Sequence, residues 1–391
     1  MSDSPKSNVL ETAESFASRQ YDFLVVGGGT AGLALAARLF KEVSFIIGVL
    51  EAGQPHLTDP KILTPGLCGT LSGDPEKLQT FARPPAEIAK PPGTSHYRLT
   101  DYGGTGPIQV SFYTPHLQDA WLKTFEILGH RISQTPLSGT GIGGLTNPAS
   151  VDPESRTRSY STNAYYRPNA TRSTIFVLTG AQVLKVNFDA TKDEQFMASG
   201  ISFFAQGRKY NVKARREVLL SAGTVQSPQI LELFGIGSGD VLSKHGIDVL
   251  INNPGVGENL QDHALAALAY EVADPNLSSD SLRDPGLLKI ALKSFQTEMS
   301  GSFASGVQAR GDKEDLATQY HPIGTCAMMP LEKGGVVDAN LTVHGTVNLQ
   351  VVGASVFPMH LRGNIQSTVH AIAEYAADMV KAKWVRSGDL H

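Results

Sequence analysis

An α/β protein is what this sequence predicts, and three observations carry the prediction. A short apolar run, Tyr21 to Val26, stops at Gly27-Gly-Gly-Thr-Ala-Gly32. A helix-like segment, Leu33 to Leu39, follows at once. A second apolar run, Phe45 to Leu50, then ends on an acid, Glu51. Strand, glycine turn, helix, strand is the opening of a Rossmann-like unit, in which a parallel sheet is covered by helices.

The chain has 391 residues, of which 41% are hydrophobic and 18% charged, so it can bury a large core in two to three domains. Lys and Arg total 33 against 37 Asp and Glu, a net charge of −4 that leaves no basic excess for a phosphate backbone; nucleic acid is not an expected partner. Two cysteines, Cys68 and Cys326, exclude a disulfide-dense scaffold and a multi-cysteine zinc site. Residues 1–20 read as a polar tail without the apolar core of a secretory signal. The longest uncharged stretch, Phe23 to Ala37, has 15 residues and four glycines, too short to span a bilayer. A cytoplasmic protein without a membrane partner is the expectation, and oligomeric state is not legible.

The first element fixes the chemistry. Gly27 permits a tight turn, Gly29 lets backbone approach a pyrophosphate, and Gly32 lets helix and strand pack closely. The helix N-terminus favours phosphate. Glu51 lies 19 residues beyond Gly32, where a carboxylate accepts from ribose hydroxyls and disfavours a 2′-phosphate. This motif alone does not separate FAD from NAD.

Further along, Arg215 to Gly237 reads as a strand, a small-residue turn and a helix, followed by Pro254-Gly-Val-Gly-Glu-Asn-Leu-Gln-Asp-His263. Near the end stand His321-Pro-Ile-Gly-Thr-Cys-Ala-Met328, Asn348 to Pro358, and Gly363-Asn-Ile-Gln-Ser-Thr-Val-His370 running on to Glu374. Together these motifs closely resemble the glucose–methanol–choline (GMC) family of FAD-dependent oxidoreductases, its alcohol-oxidising fungal members above all. The resemblance implies FAD as cofactor and a small-molecule alcohol as substrate. It places Gly27, Gly29, Thr30, Ala31 and Gly32 at the pyrophosphate, and Glu51 and Ala52 at the adenosine ribose. Val183, in the strand-like Thr179–Leu184, would reach the adenine through its backbone. Ala354, Ile365 and Gln366 would line the pyrophosphate and isoalloxazine. His321 would be the catalytic base, with Asn364 at the position that is His or Asn across the family. An imidazole titrating near neutrality suits removal of a hydroxyl proton. His370 reads as packing or surface, His263 as a turn residue, and Cys326 as buried filler.

The chain also departs from the family pattern. After Leu71 a Pro-rich stretch replaces the Gly/Ser-rich segment that packs on the flavin, only about fifty residues separate His263 from His321, and Gly353 stands where the family usually has Asp. The expected organisation is a discontinuous FAD-binding domain (21–72, 172–265 and 321–391), a reduced α+β substrate domain (102–168 and 266–318), and a Pro-rich linker (73–101). Ser138 to Gly144 reads as a loop, and the apolar spacing after Leu282 as a helix. Three functions compete: FAD-dependent alcohol oxidation, a non-redox dehydrating cyclisation of the versicolorin B synthase type, and a pseudoenzyme or truncated fragment with impaired FAD binding. Consumption of an electron acceptor separates the first two.

Overall fold

The structure, a computed structural model, describes residues 11–40, 45–54, 59–67, 97–98, 106–112, 116–133, 142–190, 195–266, 282, 284–298, 301, 303 and 317–386. Its elements in chain order are α1 (Ala13–Ala17), β1 (Gln20–Val26), α2 (Thr30–Leu39), β2 (Ile47–Leu50), α3 (His116–Ile127), β3 (Ile175–Leu178), β4 (Gln182–Ala190), β5 (Phe196–Ala205), β6 (Arg208–Leu220), α4 (Gly223–Leu233), α5 (Pro285–Glu298), β7 (Leu349–Val351) and α6 (Gln366–Arg386), with shorter turns and bridges between them.

One seven-stranded sheet holds the molecule together, in the order β3-β2-β1-β6-β5-β4 with β7 also paired to β6. Strands β3, β2, β1, β6 and β7 run parallel. Parallel strands are covered on both faces and read as continuous apolar runs, and every residue of β1 from Tyr21 to Val26 is buried. The long strand β6 does two jobs. Its second half pairs with β1 and β7, while Arg208–Lys213 forms an antiparallel hairpin with β5, which carries β4 at the edge.

Small residues bring the helices close. Ala31, Gly32, Ala34, Ala36 and Ala37 of α2 are buried, and Ala373, Ala376 and Ala377 of α6 pack into the same core. An ion pair joins the two helices, with Arg38 Nε 2.7 Å from Glu374 Oε2, and the Tyr165 hydroxyl donates to Glu374 Oε1 at 2.7 Å. Residues 159–166, grouped by the sequence with the substrate part, therefore lie against α2 and α6; Ser161 Oγ also donates to the Thr30 carbonyl at 2.8 Å.

The polar tail expected over residues 1–20 is corrected at its end. Thr12 caps α1 by accepting from the Ser15 amide, and Phe16 is fully buried, stacked on Tyr21 with centroids 4.7 Å apart. Two apolar residues three apart, Ala13 and Phe16, are enough to dock one helical turn, and the charges around them hid that face. In the 266–318 region α5 buries Phe295 in a small separate cluster with Phe303. Tyr97–Arg98 pairs with Ser111–Phe112. The rest of the Pro-rich linker, Cys68, and residues 138–141 of the second glycine cluster lie outside the described residues. Among the described residues no helix is long and apolar enough to cross a membrane.

Candidate active site

The glycine turn joins β1 to α2 at the end of the parallel strands, and its glycines differ in what they leave open. Gly27 has φ +104°, and a Cβ there would lie 2.4 Å from the Ser221 carbonyl oxygen. At Gly32 a Cβ would lie 1.9 Å from the Gly27 oxygen. Both positions are closed by the chain's own backbone. Among the described residues, apart from its chain neighbours, no heavy atom lies within 4 Å of where a Cβ on Gly29 would stand. Gly29 is also the N-cap of α2 and brings no side chain to the first-turn amides of Thr30 and Ala31. An open space bordered by uncapped amides has the shape and polarity of a pyrophosphate cradle.

Glu51 closes one side of it. The Gly28 amide donates to its Oε2 at 2.6 Å and the Gly53 amide to its Oε1 at 2.8 Å. Burial pushes this carboxyl upward, while the Gly53 and Gly28 amides pull it back. Each oxygen keeps acceptor capacity for a ribose hydroxyl, and Ala52 beside it is exposed. The amides of Ala181 and Gly180 donate to the carbonyls of Glu51 and Gly53, both at 2.9 Å, which sets Val183 next to the acid with its side chain in the core. Opposite, Gly353 has φ +150°, and a Cβ on it would lie 3.6 Å from Ala31 Cβ, so the loop carrying Ala354 passes against the first turn of α2. Ile365 is buried, and Gln366 Oε1 accepts from Ser150 Oγ at 3.4 Å. An open cradle, a half-buried acid beside it and a 353–366 segment that passes the first turn of α2 fit a dinucleotide such as FAD.

His321 stands where three loops meet. Gln261 and Ile323 exchange two backbone hydrogen bonds, of 3.1 and 2.9 Å. Thr224, in the first turn of α4, donates through its hydroxyl to the Pro322 carbonyl at 2.7 Å. Asn259 Nδ2 and Gln261 Nε2 both donate to the Pro358 carbonyl at 3.1 Å. Tyr320, just before the histidine, takes left-handed backbone at φ +59°, a costly conformation for a bulky residue that the surrounding bonds enforce.

Among the described residues, every polar group of His321 except Nε2 has a partner. Its amide donates to Asp262 Oδ1 at 3.0 Å, and its carbonyl accepts from His360 Nε2 at 3.0 Å. Its Nδ1 lies 3.1 Å from Nδ1 of His263. Burial lowers the His321 pKa, the neighbouring His263 and His360 rings lower it further, and Asp262 opposes them. Burial and the two neighbouring rings thus favour the neutral imidazole, the form that can accept a proton. Burial works against the charge on Asp262, yet the Thr318 hydroxyl and the amides of His321 and His263 hold its carboxyl below the usual value. Among the described residues no group of three His, Cys, Asp or Glu side chains is arranged to hold a metal ion.

Among the described residues, Asn364 makes no hydrogen bond to this cluster. It is exposed, follows Gly363 at φ +78° and precedes α6. Sequence reasoning passed over His360 and set His263 aside as a turn residue. Neither stands in a recognisable spacing with His321, because chain crossings rather than an element's period bring the three rings together. Cys326 is buried as expected, and burial pushes its thiol up to about 12.

Comparison with known proteins is consistent along the chain. Two family models, both described as GMC oxidoreductase, match residues 106–265 and 263–373. The dehydrogenase mpl7 of Monascus purpureus is 31% identical over 83% of this chain and 62% of its own length, so the chain spans less than two thirds of that relative. The GMC oxidoreductase family protein Mala s 12 of Malassezia sympodialis is 25% identical over 93% of this chain and 92% of its own. Among solved structures, the R554A variant of Aspergillus oryzae formate oxidase, studied for FAD modification, superposes with a TM-score of 0.76 at 18% identity, covering 94% of this chain and 99% of that one.

Proposed function

The chain belongs to the GMC oxidoreductase family, and from that premise we propose that it oxidises a small alcohol, aromatic or derived from secondary metabolism, using FAD, with His321 as the base. Gly27, Gly29, Thr30, Ala31 and Gly32 would hold the pyrophosphate, Glu51 and Ala52 the ribose, and Val183 the adenine. Ala354, Ile365 and Gln366 would face the flavin side. FAD supplies, when bound, the two-electron acceptor that no side chain offers. The protein's own part is to place the alcohol and take its hydroxyl proton on His321 Nε2.

One observation carries this reading: His321 is fixed through its amide, its carbonyl and Nδ1, which leaves Nε2 for a ligand. A histidine serving only to pack a turn has no need of that arrangement. His321→Ala tests it. The variant is expected to bind FAD as the parent does and to lose turnover of alcohols by about 100-fold or more, the range of a positioned general base. Turnover unchanged in a flavin-bearing His321→Ala protein would sink the assignment.

A further inference from the structure

We infer that His263 is a positioning residue for His321, holding its ring so that Nδ1 donates to His263 and Nε2 meets the substrate as a lone pair, while His360 anchors the His321 carbonyl. The inference rests on reading His321 as the base and adds how that base is kept in working form. It begins from the 3.1 Å separation of the two Nδ1 atoms. A contact of that length is a hydrogen bond, and it holds one proton. A neutral imidazole carries a single N–H, so whichever ring donates at Nδ1 has a bare Nε2. If His321 donates, its Nε2 accepts a proton from substrate. If His263 donates, His321 presents an N–H and serves only as a donor.

One group beside the pair, Asp262, favours the first state during reaction. Asp262 sits on the His321 amide at 3.0 Å, and its negative charge stabilises a positive ring there. His360 acts on the backbone of the base. Its Nε2 and Nδ1 face the carbonyl oxygens of His321 at 3.0 Å and Leu361 at 3.2 Å. A carbonyl oxygen only accepts, so the His360 nitrogen facing His321 donates to it and anchors the backbone that carries the base. The His360 ring centroid is 3.6 Å from that of His263. When the hydroxyl proton arrives at His321 Nε2, the bond from its Nδ1 to His263 becomes charge-assisted and stronger. A bond that strengthens as the proton is taken accelerates the step. The same bond also aims Nε2, since the ring cannot rotate without breaking it.

The test needs neither FAD nor alcohol. Long-range proton–nitrogen spectra of the full chain labelled with [15N]histidine report which ring nitrogen of His321 carries the proton, with the resonance assigned by its loss in His321→Ala. The expected spectrum has the proton on Nδ1 in the parent and in His263→Asn, whose amide oxygen still accepts. In His263→Phe, His321 reverts to the Nε2–H form. An Nε2–H His321 in the parent overturns the inference, as does a His321 spectrum that neither variant moves. In flavin-loaded protein His263→Phe should lower kcat about 10- to 100-fold, the cost of one hydrogen bond to a charged group, with KM little changed and partial recovery in His263→Asn. The Nδ1–H spectrum in a chain that oxidises no alcohol contradicts the functional reading while supporting the positioning.

Discussion

His370 stands inside α6 at 7% exposure, its ring stacked on Tyr165 at 5.4 Å and neither nitrogen partnered among the described residues. Burial depresses its pKa to about 4, with Glu374 opposing. Folding therefore keeps this ring neutral where the unfolded chain, at about 6.5, takes up a proton. Below pH 6.5 the unfolded state binds more protons than the folded one, so stability falls as pH drops from 6.5 to 4, by at most about 3 kcal/mol. His370→Phe is expected to flatten that slope in denaturant titrations at pH 7 and pH 5. An unchanged slope would mean the ring is protonated within the fold. The residue scale also marks how far sequence reaches. His321 is legible because its neighbours Pro322, Gly324 and Thr325 form a contiguous motif. Its companions His263 and His360 lie 58 and 39 residues away, and only loop crossings make them neighbours.

Among elements, the glycine turn separates folding from binding. An alanine at Gly32 would press its methyl to 1.9 Å from the Gly27 oxygen, so Gly32→Ala is expected to cost about 3 kcal/mol or more, read as lost soluble yield or a lower melting temperature. An alanine at Gly29 meets, among the described residues, nothing but its chain neighbours within 4 Å, and its extended backbone suits any residue. Gly29→Ala should therefore change stability by less than about 1 kcal/mol and yet weaken FAD binding at least about tenfold, since the methyl occupies the cradle. Equal flavin affinity in Gly29→Ala and parent would place the pyrophosphate elsewhere. The contrast also explains what was readable. β1, α2 and β2 follow one another with the residue types each needs, and they emerged from the sequence nearly as found. β5 escaped notice because Phe196–Ala205 mixes small and polar residues, and its pairing with β4 and β6 is what makes it a strand. α1 was missed for a related reason, its apolar face being two residues wide.

Across the whole molecule, the parallel strands come from residues 20–50, 175–220 and 349–351, so the site is assembled from segments far apart in the chain. The fold class was legible because each segment carries its own strand–turn–helix pattern. Its closure was not, since the order β3-β2-β1-β6 depends on which apolar edges meet. The sheet ends gather the cradle at Gly29, the acid at Glu51 and, through Thr224 and Ala354, the loop that bears His321. This convergence is the basis for reading the chain as a flavin-dependent oxidoreductase, and it stands or falls with cofactor binding. The most direct measurement is the visible absorption spectrum of the purified full chain after incubation with excess FAD and removal of the free cofactor. The account predicts flavin bands at one equivalent per chain. A colourless protein that is folded and monodisperse would contradict it.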